Sequence, residues 1–138
     1  MRADMMIRWT GVFSLLVMSV FLMAFEETGI NSEQGFFSVD VRCAANPVKI
    51  GKNNMTVTIH DVKSLKPVGR KLIIEAIPWM PATPEHGSSD IPVVTYLGKG
   101  QYRIEGINFT MPGEWDVYLK VRDGGKEDSV VFNVDVAP

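Results

Sequence analysis

Three side chains in this sequence could do chemistry together: Met80, His86 and Met111. The first two share a Pro-rich stretch, "IPWMPATPEHGSSDIP" from Ile77 to Pro92, six residues apart on a segment that can bend back on itself. Thioether sulfur and imidazole nitrogen favour Cu(I), and a Met/His set outlasts thiolates where thiols are oxidised. Met111 opens a Met-Pro-Gly turn ahead of Trp115, and would be a third ligand if that turn lies at the same end of the fold. Glu85 could add an oxygen. Three ligands from two loops would make an open, low-coordinate copper site. The same residues also admit a reading without metal. Methionine fills gaps beside aromatics such as Trp79 and Trp115. Pro78, Pro81, Pro84 and Pro92 stiffen a long connection, and His86-Gly87 is then an ordinary turn.

Other reactive residues point to less. "HGSSD" (His86 to Asp90) holds His, Ser and Asp, but neighbours on one loop rarely converge as nucleophile, base and orienter. With no nucleophile elbow, no paired acids in an apolar setting and no zinc triad, the sequence is not read as an enzyme and no cofactor other than copper is suggested. His60 falls on an outward strand position beside Asp61. Cys43, the single cysteine, rules out an internal disulfide, and its alternation predicts a small inward hydrophobe.

The elements that must position these residues are strands. In "FFSVDVRC", Phe37, Val39, Val41 and Cys43 share one face; in "MTVTIHDV", Met55, Val57 and Ile59 do. "EWDVYLKV" turns Trp115, Val117, Leu119 and Val121 inward, and "VVFNVDV" turns Val130, Phe132, Val134 and Val136 the same way. Three further runs, "KLIIEAI", "IPVVTYL" and "QYRIEGINF", make about seven strands, the last carrying a bulge at Gly106. Turn signals fall at "GKNN", "LGKG", "MPG" and "DGGK". No helical period persists after residue 25. This spacing predicts an all-β fold, an immunoglobulin-like antiparallel β-sandwich over residues 36 to 138.

Ahead of it stands "WTGVFSLLVMSVFLMAF", Trp9 to Phe25, 17 residues without a charge. As one hydrophobic helix it is about 26 Å long, close to the roughly 30 Å of a bilayer core, which it can just span. Arg2 and Arg8 precede it and Glu26 and Glu27 follow, which places the N-terminus in the cytoplasm and the remainder outside. Residues 1–25 are therefore a transmembrane anchor, or a signal peptide cleaved after Ala24, which would leave a secreted or periplasmic domain. Residues 26–35, with Gly29 and Gly35, read as a tether. Across 138 residues, 46% hydrophobic and 22% charged content with a net charge of −2 fits one folded domain. It does not fit a basic nucleic-acid binder.

The quoted runs also carry a resemblance. "PVKIGKNNMTVTIHD", "PWMP…EHGSSDIPVV" and "GKGQYRIEGINFTMPGEWDVYLKV", with Met80-Pro81, His86-Gly87, Gly100-x-Tyr102 and Met111-Pro112-Gly113-x-Trp115, resemble the YtkA-like domain family and, more distantly, the FixH family. The resemblance spans Pro47 to Val136 and implies a membrane-anchored or secreted bacterial β-sandwich. Through relatives of the FixH type, tied to maturation of copper-containing respiratory oxidases, it implies a respiratory or metal-handling membrane protein as partner. The family's loop usually carries a second Met between Met-Pro and His-Gly. Here those positions read Ala82-Thr83-Pro84-Glu85.

Overall fold

A computed structural model describes residues 29–83 and 87–138. Within them the chain forms nine strands: β1 (Ile30–Asn31), β2 (Phe37–Cys43), β3 (Val48–Lys49), β4 (Gly51–Asp61), β5 (Ile73–Trp79), β6 (Val93–Gly98), β7 (Gln101–Phe109), β8 (Gly113–Asp123) and β9 (Lys126–Ala137). The seven long ones are the seven expected from alternation, and β1 and β3 are two-residue additions. They build two sheets, ordered β1-β2-β4-β7-β6 and β3-β9-β8-β5. All pairings are antiparallel except β3 with β9. The fold is thus an all-β sandwich, as its period-two pattern dictates. The expected N-terminal helix at 1–25 lies outside the described residues.

Alternation sets which side chains meet between the sheets. Val57, Ile59, Ile104, Ile107 and Phe109 from one sheet are fully buried against Trp115, Val117, Leu119, Val121 and Val130 from the other. The Trp115 ring meets Phe109 edge-on at 5.4 Å, and its indole N–H donates to the Met111 carbonyl at 2.9 Å, so its one polar atom is satisfied. The bulge falls where Gly106 predicts it. Asn53 pairs with Ile107 and Met55 with Ile104, so two β7 residues oppose one on β4. Gly106 takes φ +77°, and its N–H donates to Asn54 Oδ1 at 3.2 Å.

Gly100 is required by space. A Cβ there would lie 2.8 Å from the Ile59 carbonyl oxygen and 3.0 Å from Pro67 Cβ, with φ already at +75°. The β6–β7 turn is thereby pressed onto the β4–β5 connection. Two residues on, the buried Tyr102 hydroxyl accepts the Leu72 N–H at 2.7 Å from the same connection.

Three expectations need correction. "GKNN" is not a turn but the start of β4; the chain bends at Ile50, and the Asn53 amide donates to the Lys49 and Gly51 carbonyls to hold that bend. Cys43 is exposed and not a core residue. Its register opposite the buried Met55 keeps it on the inward face, but β1 covers β2 only at Ser38 and Val39. Beyond that point β2 overhangs an open groove of about 420 Å³ lined by Cys43, Val48, Phe132 and Val134. Partial desolvation there raises the Cys43 thiol pKa, which keeps it protonated.

Finally, residues 30–35 are not tether but part of the sandwich. Ile30 and Asn31 form β1, and Ser32 is buried. The anchor of this turn is Asp128, 3% exposed at the start of β9. Its carboxylate accepts the Ser32 hydroxyl, the Gln34 N–H at 2.8 Å, the Phe36 N–H at 3.2 Å and the Ser129 N–H at 2.8 Å. Burial alone would raise the Asp128 pKa, but these four donors together outweigh it and hold the group below the ordinary carboxylate value. A depressed folded-state pKa contributes stability that is present above the unfolded value near 4 and is lost as pH falls through the folded value. Asp128→Asn should cost about 1–3 kcal/mol at pH 7 in chemical denaturation. The gap to wild type should narrow below about pH 4; a gap that does not change with pH would contradict the clasp.

Candidate functional site

The two methionine turns do lie at one end of the sandwich. Trp79 closes β5 opposite Asp116, while Gly113 and Glu114 open β8, so the segment after Trp79 runs beside the Met111-Pro112-Gly113 turn. Gly113 takes φ +122°, and a Cβ built on it would stand 3.3 Å from Met80 Cε. The methionine methyl therefore occupies the space that glycine leaves.

That proximity has a cost for coordination. Met80 is 6% exposed and belongs to the core cluster, so its thioether is covered by apolar neighbours. Met111 is half-buried and packs against the same core. Its carbonyl is taken by the Trp115 indole. His86 and Glu85 lie outside the described residues, and so does Pro84. The flanking chain is held by a bridge between Trp79 and Gly87, where the Trp79 ring would lie 3.3 Å from a Cβ on Gly87. The donors described thus fit a soft metal only in part: two thioethers share one end, and one of them is sealed. Among the described residues no three His, Cys, Asp or Glu side chains converge.

His60 stands on the outer face of β4, its Nδ1 3.6 Å from Asp40 Oδ2, away from both methionine turns. Asp90 accepts the Asn108 amide at 3.0 Å, and the Asp90 N–H donates to Ser88 Oγ at 3.2 Å, so the "SSD" residues serve the loop's own geometry.

A second surface was not singled out by residue chemistry. Strands β5 and β6 end their sheets at the edges opposite β3 and β1, and Tyr96 Oη of β6 donates at 2.7 Å to the Gly69 carbonyl in the segment leading into β5. Large apolar side chains stand out along them: Ile73 and Ile77 on β5, then Ile91, 91% exposed, Val93 and Leu97 on or beside β6. From Ile91 to Leu97 there is no charged residue. Proteins ordinarily blunt such edges with charge, and β6 has only Pro92 before its start. The signal was present in the sequence as a β-rich run, "IPVVTYL", in which the outward Ile91, Val93 and Leu97 are also apolar.

These features define an all-β two-sheet sandwich with one methionine-bearing end and one uncharged open edge. The YtkA-like family matches residues 34–120, which is more than half of the chain, and the chain belongs to that family. No curated protein and no solved structure matches it.

Proposed function

We propose that this chain is an extracytoplasmic, membrane-tethered accessory domain that works by binding, with no catalytic step of its own. The Trp9–Phe25 run supplies the anchor, and Arg2 and Arg8 against Glu26 and Glu27 set its direction. The strand order supports an immunoglobulin-like reading, since β2-β4-β7-β6 opposite β9-β8-β5 follows the ABED and GFC order of constant-type domains.

The form best supported is a metal-free module that docks a membrane or periplasmic protein, and the observation that carries it is the uncharged β6 edge. Unpaired backbone groups on a free edge accept an added strand, while alternate side chains give specificity. The occupant is an extended, apolar segment of the partner. A photo-crosslinking residue at Thr95 of the full-length chain in cells should give one discrete adduct. Val93→Lys with Leu97→Lys should lower its yield about tenfold or more, as losing roughly 1.4 kcal/mol of binding would do. An adduct indifferent to both lysines would refute docking at this edge.

A second reading keeps copper. It draws on the convergence of the Met80 and Met111 turns and on the FixH-type resemblance, with His86 completing the set. Anaerobic Cu(I) titration of wild type, Met80→Ala, His86→Ala and Met111→Ala separates the two. The metal-free module predicts equal, weak binding by all four proteins. A tight stoichiometric site in wild type alone would reverse the preference.

A further inference from the structure

Two sheets leave four edges, closed here by β1, β6, β3 and β5. Among the described residues only β6 offers an edge that is long and free of both charge and proline. β1 and β3 are two residues each, and the lengths of β2 and β9 that they leave unpaired carry Asp40 and Arg42 on one and Asp135 on the other. β5 carries Glu75 and also Pro78, which has no N–H to give, and Gly87 already bridges to its last residue, Trp79. β6 runs for six residues as Val-Val-Thr-Tyr-Leu-Gly. A charged or proline-bearing strand matches it poorly; another β6 matches it well.

β6 is also less covered than the strand beside it. Its inward Val94 and Tyr96 stay half-buried, whereas Ile104 and Tyr102, their partners on β7, are buried. Its outward Val93 is 61% exposed and Leu97 45%. The strand is nevertheless held in place. Besides the Tyr96 hydroxyl on the Gly69 carbonyl, the Tyr96 ring lies 5.0 Å from that of Tyr102. An added strand therefore meets an edge already in shape, and little ordering opposes its binding.

The edge is complementary to itself. Facing residues of an antiparallel pair point to the same side of the sheet, so a two-fold pairing of identical strands centres on a residue. Centred on Thr95, it sets all of β6 but Gly98 against its copy. Thr95 then faces its own counterpart, Val93 faces Leu97 twice on the outward side, and Val94 faces Tyr96 twice on the inward side. Apolar groups meet apolar groups on both sides of the seam. The charges that flank β6 in the chain also agree: Lys99 of one copy comes level with Ile91 of the other, beside Asp90. Lys99 takes part in no ion pair among the described residues.

We propose that the partner at this edge is a second copy of the chain, the two β6 strands pairing antiparallel about Thr95 so that the β1-β2-β4-β7-β6 sheet continues into its copy. The inference rests on the tethered, edge-docking reading above and names the occupant. A seam of six residues a side is small beside the roughly 20–30 of a standard interface, so chains free in dilute solution stay apart. Tethering to one membrane raises the effective concentration, and there the pairing forms. The two-fold axis stands perpendicular to the sheet; with that axis along the bilayer normal, both chains enter the same membrane.

The test is disulfide formation in the full-length chain, in the membranes of the cells that express it, with Cys43→Ser as background and diamide as oxidant. Facing residues of an antiparallel pair have Cα atoms about 4.5–5.5 Å apart, within disulfide reach. Thr95→Cys should therefore give a covalent dimer. Val93→Cys alone, or Leu97→Cys alone, sets equivalent thiols four residue steps apart, about 13 Å, and should give several-fold less. Val93→Cys expressed together with Leu97→Cys should restore the dimer. No dimer from Thr95→Cys, or the same yield from all three single variants as random collision gives, would overturn the self-pairing. The photo-adduct at Thr95 separates this inference from the reading beneath it. An adduct whose second component is this chain supports self-pairing. A lysine-sensitive adduct with a different protein overturns self-pairing and leaves docking at the edge standing; an adduct indifferent to the lysines overturns both.

Discussion

Everything in this molecule depends on water being kept from the gap between two sheets, and β8 bears the largest share of that task. Trp115, Val117, Leu119 and Val121 are all fully buried. Removing a ring such as Trp115 from water, about 200 Å² at about 25 cal/mol per Å², is worth roughly 5 kcal/mol before entropy is counted. Trp115 is useful only because its N–H finds the Met111 carbonyl, which fixes the Met-Pro-Gly turn. That turn brings Gly113 under Met80, and so the packing of one tryptophan sets the shape of the whole methionine-bearing end.

This dependence explains why the methionine pair resists a single interpretation from sequence. Spacing shows that Met80 and Met111 can meet, and they do approach. It does not show that Met80 would be covered, because the cover comes from Gly113 leaving a space that only tertiary contact defines. The inward faces of β4, β8 and β9 were legible because a half-buried strand repeats every two residues, and Gly106 was legible as a bulge because it shifts that repeat. Cys43 obeyed the alternation and still ended exposed, since parity gives a side chain's face but not whether a neighbour extends over it. Asp128 shares parity with Val130 and Phe132, so an inward carboxylate could have been read there. Its partners Ser32, Gln34 and Phe36 could not, being nearly a hundred residues away in sequence. The same contact is why a polar, Gly-bearing segment that reads as tether is in fact folded.

The resulting account assigns different work to different parts of one small sandwich. Asp128 gathers the N-terminal turn onto β9. The Met80 and Met111 turns share one end of the sandwich, and the β6 edge carries no charge to discourage pairing. Natural sheets seldom leave such an edge bare, and here its neighbour β7 is tightly held through Tyr102, so the edge is open without being loose.

The most direct measurement of this picture is residue-resolved amide hydrogen exchange on the isolated chain. The account predicts that the β8 amides exchange only through global unfolding, whereas outward-facing amides of Val93–Gly98 exchange by local opening at far lower protection. Equal protection of β6 and β8 in the chain alone, or rapid exchange throughout β8, would contradict a sandwich that is sealed at its centre and open at that edge.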